Sequence, residues 1–443
     1  MRRSLLLPLL CVPALLAQAP PTVAGDWSGT IQTPGSGLKI QISLEAKAGA
    51  WSGRISIPAQ GAKDLPLGDI QVGEGSLAFA LVGIPGEPRF KGRRQADGSY
   101  AGEFTQGGQS IPCRFQRAET APALAPATAP EPSRSGPGDR ELGFPGFNAF
   151  PIKASVRAGK TSPYFAVMVA GSGPTDRNWS SPLFPFPSHG GRDIAVWLQE
   201  QGLGSLRYDK RFIGSQDPKL DISLDAQLGD VKAALKAARL LPEAKGKKLL
   251  LVGHSEGALL ALLAAGDADA ALLLAMPGMS MGKLIVAQVK AGLDAANAPA
   301  DVAKTNLDFL EDTLGAIRKH ASLPGAAAGV APGVVGLAKA LGRPESLTFV
   351  RDLLDLDPWG AAQRVNVPCA VVWGDRDIQT WRPATLPAEF KGAVLEIAGA
   401  NHLLKREPRN RAELSGQTAM SAYGDDTPLA DLAPLALWLR LLK

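Results

Sequence analysis

The chain has 443 residues, of which 49 are glycine and 36 are proline, and this frequency of turn-forming residues excludes an all-helical bundle. Because 45% of the residues are hydrophobic and only 20% are charged, the chain can bury a large core and is not disordered throughout. The net charge of +5 comes without a dense run of Lys and Arg, so a nucleic-acid partner is not indicated.

The N-terminal segment has the composition of a secretory signal peptide. Arg2 and Arg3 precede a short apolar stretch that ends in the small-residue triplet at 17–19. We therefore predict that residues 1–19 are removed and that the mature protein is periplasmic or secreted, with no transmembrane segment. An uncleaved anchor is the alternative, but the stretch is shorter than the roughly 20 residues that a spanning helix needs and contains prolines.

The cysteines and histidines do not form a metal-binding pattern. Cleavage of the signal leaves Cys113 and Cys369, which are too far apart in sequence to indicate a disulfide framework or a zinc motif. The four histidines are equally scattered and lack an H-E-x-x-H pair. The sequence therefore predicts no metal.

Residues 24–117 alternate apolar and polar side chains with the period of β-strands, for example from Leu38 to Leu44. A Gly-x-aromatic-small-Gly unit occurs around Trp27, Trp51 and Tyr100, each time before an apolar strand. The pattern predicts a small antiparallel β domain, either a meander or a partial barrel. We expect the aromatic rings to fill its core, and binding of a sugar or polymer is the alternative.

Residues 118–139 are rich in Ala and Pro without apolar periodicity, which predicts a linker. Through residues 140–443, continuous apolar runs alternate with helical stretches, which predicts a mostly parallel sheet with helices on both faces. The predicted strands are residues 164–170, 204–208, 249–252, 271–275, 369–373 and 394–397. About 90 residues separate the fourth and fifth of these strands, which predicts a helical lid over about 278–366.

A serine lies in the segment GHSEG (253–257), directly between a predicted strand and an Ala/Leu-rich helix. This context is typical of a nucleophile elbow, where glycines avoid clashes and the tight turn exposes the serine Oγ. The same pattern surrounds Ser280, but Met276 and Pro277 separate it from its strand. We therefore predict Ser255 as the nucleophile, with Ser280 as the alternative.

A serine nucleophile needs a base that removes its proton and an acid that orients the base. In folds of this kind the chain order is Ser, acid, His, and His402 follows an acidic turn that itself follows a strand. We predict His402 as the base. The acid is predicted at Asp377, the third residue after Gly374, with Asp375 as the alternative that is better placed to cap the turn.

An acyl oxyanion needs two backbone N–H donors. One is predicted at Glu256, the residue after the nucleophile, and the other at Ser172, in the loop Gly-Ser-Gly-Pro (171–174) after the first buried strand. A phosphate-binding loop is the alternative for these glycines, but no Lys-Ser or Lys-Thr pair follows them.

Five segments, in this order, resemble bacterial α/β-hydrolase esterases related to the dipeptidyl-aminopeptidase and acylaminoacyl-peptidase clan. They are GSGPTDRN (171–178), LRYDKR (206–211), VGHSEG (252–257), GDRDIQT (374–380) and NHLLK (401–405). The resemblance covers residues from about 140 to 443. It implies an α/β-hydrolase fold, a triad of Ser255, Asp377 and His402, and hydrolysis of carboxylic esters without a cofactor.

The sequence as a whole predicts an exported serine hydrolase. Its expected activity is that of a carboxylesterase, which cleaves small-molecule esters with short to medium acyl chains through an acyl-enzyme. A peptidase or thioesterase with the same triad is one alternative. The other is an exported binding protein whose hydrolase domain is inactive.

Overall fold

The structure is a computed structural model that describes most of the chain. The described residues are 23–31, 38–47, 50–57, 62–81, 88–106, 109–118, 134–173, 175–181, 188–213, 215, 217, 219–344, 346–424 and 426–442. The predicted signal peptide (1–19) and most of the predicted linker (118–139) lie outside the described residues.

Eight antiparallel strands of the N-terminal region form a closed barrel. They are β1 (Gly25–Ile31), β2 (Leu38–Lys47), β3 (Ala50–Ile57), β4 (Ala62–Gly73), β5 (Ser76–Leu81), β6 (Arg89–Arg94), β7 (Tyr100–Gln106) and β8 (Gln109–Arg117). Each strand pairs with the next, and β1 also pairs with β8, so that Trp27 lies opposite both Ile42 and Arg117. The barrel is therefore closed, not the meander or partial barrel predicted, because β8 covers the second edge of β1.

The repeated aromatic residues contribute to the barrel core. Trp27 and Tyr100 are almost fully buried and pack edge to face with ring centroids 5.2 Å apart. Trp51 is half-buried against the same core. The last glycine of the first unit, Gly29, is needed because a Cβ there would lie 2.6 Å from the ring of Phe115.

An eight-stranded mixed sheet follows, in the order β16-β15-β14-β13-β11-β12-β10-β9. Its strands are β9 (Asp139–Pro145), β10 (Pro151–Arg157), β11 (Tyr164–Val169), β12 (Gly204–Tyr208), β13 (Lys248–His254), β14 (Ala270–Leu274), β15 (Cys369–Gly374) and β16 (Ala393–Ile397). Strands β11 to β16 are parallel to one another, and β9 and β10 form an antiparallel edge. The six predicted strands are all present, and β9 and β10 were missed.

The α-helices of the described residues cover both faces of this sheet and also form the insertion between β14 and β15. They are α1 (Gly190–Glu200), α2 (Leu224–Arg239), α3 (Glu256–Leu263), α4 (Met281–Ala295), α5 (Ala300–Arg318), α6 (Pro332–Leu341), α7 (Leu347–Leu354), α8 (Pro358–Ala362), α9 (Gly416–Met420) and α10 (Ala433–Leu441). Helices α2 and α3 pack on one face, through residues such as Val231 and Leu259. Helices α1 and α10 pack on the other, through Ile194 and Leu435. The fold class predicted from the sequence is thus confirmed.

The segment between β14 and β15 is helical and contains α4 to α8. It has a small core of its own, in which Leu310, Leu314 and Val334 are buried. The buried Asn306 ties two of its helices together, since its Oδ1 accepts a hydrogen bond of 2.7 Å from the Ala331 N–H at the start of α6. In the described part of the chain, no helix combines the length and the apolar character that crossing a bilayer requires.

Candidate active site

Ser255 occupies a turn of one residue between β13, which ends at His254, and α3, which begins at Glu256. Its backbone angles are φ 56° and ψ −123°, a conformation that residues with a side chain rarely adopt. Such backbone strain persists only where the surrounding structure enforces it, and it is frequent at functional sites. The turn is held in place by the Ser255 N–H, which donates to the Leu274 carbonyl at 2.9 Å.

The glycines around Ser255 are required by the close approach of neighbouring backbone. A Cβ at Gly253 would overlap the Gly257 carbonyl oxygen, and a Cβ at Gly257 would overlap that of Ala170. A Cβ at Gly171 would lie 3.2 Å from the Ser255 Cβ. The loop after β11 therefore packs directly against the serine turn, which explains Gly253, Gly257 and Gly171.

Ser280 lies in a different environment. Its backbone angles are φ −57° and ψ 149°, which are unstrained, and it precedes α4 at the base of the helical insertion. The nearby Gly278 carbonyl accepts a hydrogen bond of 2.9 Å from the Trp359 indole N–H. The Ser280 segment therefore forms a connection between the sheet and the insertion, without the tight strand-to-helix turn of Ser255.

The structure brings His402 and Asp377 together in a buried hydrogen bond. The distance from His402 Nδ1 to Asp377 Oδ2 is 2.8 Å, and the Asp377 side chain has no solvent exposure. Asp377 also accepts hydrogen bonds from the N–H groups of Gln379 and Thr380, at 2.7 and 3.0 Å, and from the Thr380 hydroxyl at 2.8 Å. Its carboxylate is thus held in one orientation by several donors.

The charge state of Asp377 follows from its surroundings. Burial alone would raise the pKa of Asp377, but the adjacent His402 and the hydrogen bonds from Thr380 hold that pKa below its usual value. Because an ionised carboxylate can only accept, His402 Nδ1 carries a hydrogen and Nε2 of the neutral ring is free to take up a proton.

Asp375 has a different part in the same turn. Its Oδ1 accepts a hydrogen bond of 2.7 Å from the Gly399 N–H, and its side chain is 29% exposed next to Arg376. Asp375 therefore links the turn after β15 to the loop that carries His402, and Asp377 is the aspartate that contacts the imidazole.

His254, the residue that precedes Ser255, contacts His402. The His254 Nε2–H donates to the His402 carbonyl at 2.8 Å, and the two rings have centroids 4.8 Å apart. Among the described residues, Ser255 Oγ makes no hydrogen bond with His402. Bonds of this kind often form only in the complex with substrate.

The two amides predicted to bind an oxyanion flank the serine. Glu256 is the first residue of α3, and Ser172 follows Gly171, which packs on the serine turn. Within the described part of the chain, neither amide donates a hydrogen bond. The loop is folded by the Thr175 hydroxyl, which donates to the Ser172 carbonyl at 2.6 Å.

Three residues near this site were missed by the sequence analysis. Trp179 stacks on the His254 ring at a centroid distance of 4.5 Å, and Thr380 orients Asp377. Lys210 forms a buried ion pair of 2.7 Å with Glu256. Lys210 and Thr380 lie inside the segments LRYDKR and GDRDIQT, so their presence was visible in the sequence although their contacts were not.

His254 is buried as a neutral ring. Burial, followed by the proximity of His402, lowers the pKa of His254 to about 3. Since Nε2–H donates to a carbonyl, Nδ1 carries no hydrogen, and it has no partner among the described residues. Protonation of His254 would place a charge in this apolar, stacked position.

We expect acid to destabilise the fold through His254. Its folded pKa lies below that of an unfolded histidine, so the unfolded state binds more protons between about pH 3 and 6.5, and the stability contributed by neutral His254 is lost as pH falls through that window. In mid-window the loss is about 1.4 kcal/mol per pH unit. Urea unfolding at several pH values measures it, and the His254→Gln variant lacks this component. Equal slopes for both proteins would contradict the assignment.

The two cysteines that the structure describes, Cys113 and Cys369, are buried free thiols, and burial raises the pKa of each to about 12. Neither is therefore a reactive thiolate. In the residues of known placement, no cluster of three or more His, Cys, Asp or Glu side chains has the arrangement of a metal site.

Comparison with known proteins identifies the family. A family model described as the alpha/beta hydrolase family matches residues 166–409, which is more than half of the chain. The chain therefore belongs to the alpha/beta hydrolase family, and the mixed sheet with the helical insertion is its α/β-hydrolase fold. The matched range contains Ser255, Asp377 and His402.

Individual relatives are distant. The chain is similar to esterase EstD of Thermotoga maritima, with 28% identity over 236 residues that cover 52% of this chain and 51% of that protein. A shorter match to the polyketide transferase af380 of Aspergillus fumigatus has 40% identity over 76 residues, 17% of this chain and 26% of that protein. The chain thus spans about half of the length of the first of these curated relatives and about a quarter of the second. A solved esterase of Pyrococcus furiosus covers 69% of this chain and 90% of its own, with 13% identity and a TM-score of 0.38.

Proposed function

We propose that the protein is an exported serine hydrolase, specifically a carboxylesterase that cleaves small-molecule esters with short to medium acyl chains. The observation that carries this proposal is the buried His402–Asp377 hydrogen bond beside a serine held at a strained strand-to-helix turn. Membership of the alpha/beta hydrolase family supports hydrolysis. The similarity to an esterase over half of its length supports an ester as the substrate.

The mechanism is acyl transfer in two steps. His402 Nε2 takes the proton of Ser255 Oγ as that oxygen attacks the ester carbonyl carbon. The N–H groups of Ser172 and Glu256 donate to the resulting oxyanion. The His402 proton then passes to the leaving alcohol, and an acyl group remains on Ser255. Water, deprotonated by His402, attacks this acyl-enzyme, and His402 returns the proton to Ser255 Oγ as the bond from that oxygen to the acyl carbon breaks and the acid is released.

The ion pair between Lys210 and Glu256 supports the proposal that the Glu256 N–H donates to the oxyanion. Glu256 is the first residue of α3, where the helix N-terminus favours negative charge. Its carboxylate would repel an oxyanion formed beside its own N–H, and the ammonium group of Lys210, 2.7 Å away, compensates that charge. The net field near the Glu256 amide therefore remains favourable to an anion.

A fluorophosphonate probe tests the proposed chemistry, and a panel of substrates tests the class. We expect labelling of Ser255, located by mass spectrometry, and turnover of p-nitrophenyl butyrate well above that of acyl thioesters and aminoacyl anilides. Faster turnover of an anilide or a thioester would identify a peptidase or a thioesterase. A folded protein that neither reacts with the probe nor turns over any substrate would favour the binding protein.

The pH dependence of ester hydrolysis tests His402 as the base. A protonated imidazole cannot accept the Ser255 proton, so we expect kcat/KM to fall as the pH is lowered from 8 towards 5. The protein must remain folded over this range, which circular dichroism checks in the same buffers. A profile that stays flat from pH 5 to 8 would argue against His402.

A further inference from the structure

The chain that leaves the predicted linker contacts the loop that carries Ser172. Arg134, the first residue described after the gap at 119–133, forms ion pairs with Asp209 at 3.1 Å and with Asp176 at 3.5 Å. Its backbone carbonyl accepts a hydrogen bond of 2.8 Å from the Asn178 side-chain amide. Two of these three partners, Asp176 and Asn178, belong to the loop that follows β11.

Asp209 is the centre of this cluster. Its Oδ1 accepts the Arg177 backbone N–H at 2.9 Å, and its Oδ2 accepts the guanidinium groups of Arg177 and Arg134 at 2.8 and 3.1 Å. The side chains of Asp209 and Arg177 are 6% and 2% exposed. The loop after β11 is thus held at the end of β12 by charged hydrogen bonds between side chains that are almost fully buried.

Arg134 balances the charge of the cluster. Burial is the main cause that raises the pKa of Asp176. The nearby charge of Asp209 raises this pKa further, whereas the charge of Arg134 lowers it. The guanidinium groups of Arg134 and Arg177 face the carboxylates of Asp176 and Asp209, and Arg177 also lies 3.6 Å from the exposed carboxylate of Glu141. Without the Arg134 side chain, Asp176 loses its ion pair and Asp209 keeps only the guanidinium group of Arg177 among these two, whereas the bond from Asn178 to the Arg134 backbone carbonyl does not need that side chain.

We propose that Arg134 is a positioning residue of the active site, which holds the loop after β11 in the conformation that presents the Ser172 N–H. The segment between the barrel and the sheet therefore completes the oxyanion site of the hydrolase. This inference rests on the proposed function. The Arg134 side chain touches no reacting atom in this scheme and acts through Asp176 and Asp209.

The kinetic consequence is specific. An oxyanion donor stabilises the transition state more than the bound substrate, so a displaced donor lowers kcat and leaves KM nearly unchanged. Loss of one complete donor costs about 10²- to 10³-fold in kcat. Because Arg134 only positions the donor, we expect a decrease of about 10- to 100-fold in kcat for the Arg134→Ala variant.

The experiment compares Arg134→Ala and Arg134→Lys with wild type in the full-length protein. We measure kcat and KM for p-nitrophenyl butyrate, and hydrogen–deuterium exchange of peptides from residues 171–181 and 248–254. We expect faster exchange in the first peptide alone and partial recovery of kcat with Lys, which keeps the charge but not the fork of donors. Arg140→Ala is the matched control. Arg140 follows Arg134 in the same chain segment, but its exposed side chain forms an ion pair with Glu243.

The outcomes separate the two proposals. A wild-type kcat in Arg134→Ala would overturn the positioning role. Hydrogen–deuterium exchange that increases equally in the peptides 171–181 and 248–254 would also overturn it, because an equal increase indicates general destabilisation. A wild-type protein without esterase activity would overturn the proposed function and, with it, the catalytic part of this inference. In that case the exchange data still decide whether Arg134 holds the loop.

Discussion

In the Ser255→Ala variant we expect kcat for ester hydrolysis to fall by about 10⁶-fold, because no other hydroxyl occupies the strained turn that β13 and α3 form. The remaining groups would still bind substrate and polarise its carbonyl, so a small residual rate above that of water is expected. Steady-state kinetics with p-nitrophenyl butyrate, together with fluorophosphonate labelling, measure the loss.

Ser280→Ala is the matched control for this prediction. Ser280 lies in the same five-residue pattern, but its backbone is relaxed and its segment anchors the helical insertion. We expect its kcat and its labelling to equal those of wild type. Loss of activity in Ser280→Ala with full activity in Ser255→Ala would refute the assignment of the nucleophile.

The parallel strands of the sheet were predictable, and the two antiparallel strands β9 and β10 were not. Strands β11 to β15 are buried on both faces, so their apolar runs are continuous and easily recognised. Strand β9 is an edge strand and β10 lies between it and β12, and charged residues such as Arg140, Glu141 and Lys153 interrupt the apolar pattern of both strands. Closure of the barrel depends on pairing between β1 and β8, which local periodicity does not encode.

The candidate site shows the same division. The sequence could indicate Ser255, Asp377 and His402, because each follows a recognisable strand and the order of strands sets which residues meet at one edge of the sheet. It could not indicate that the His254 ring contacts the His402 carbonyl, 148 residues away, or that Arg134 contacts the loop after β11. These contacts join segments that are far apart in the sequence, and no local sequence pattern predicts which of them pack together.

The second large effect is expected for Asp377→Asn, with a fall in kcat of about 10⁴-fold. Asp377 Oδ2 accepts the His402 Nδ1 hydrogen, and both of its oxygens also accept from Thr380 and Gln379. An amide has one oxygen to serve these donors, so its NH₂ group would face either His402 or Thr380. If it faces His402, the ring must accept at Nδ1 and carry its hydrogen on Nε2, which is the wrong tautomer for a base towards Ser255.

This prediction distinguishes Asp377 from its neighbour in the same turn. Asp375 is partly exposed, and among the described residues it accepts the Gly399 N–H and contacts Arg376. Asp375→Asn keeps an acceptor oxygen for the Gly399 bond and is expected to retain most of the activity. Thermal unfolding of both variants controls for loss of fold. If Asp377→Asn has near wild-type kcat and Asp375→Asn does not, the hydrogen bond between Asp377 and His402 is not the one that orients the base.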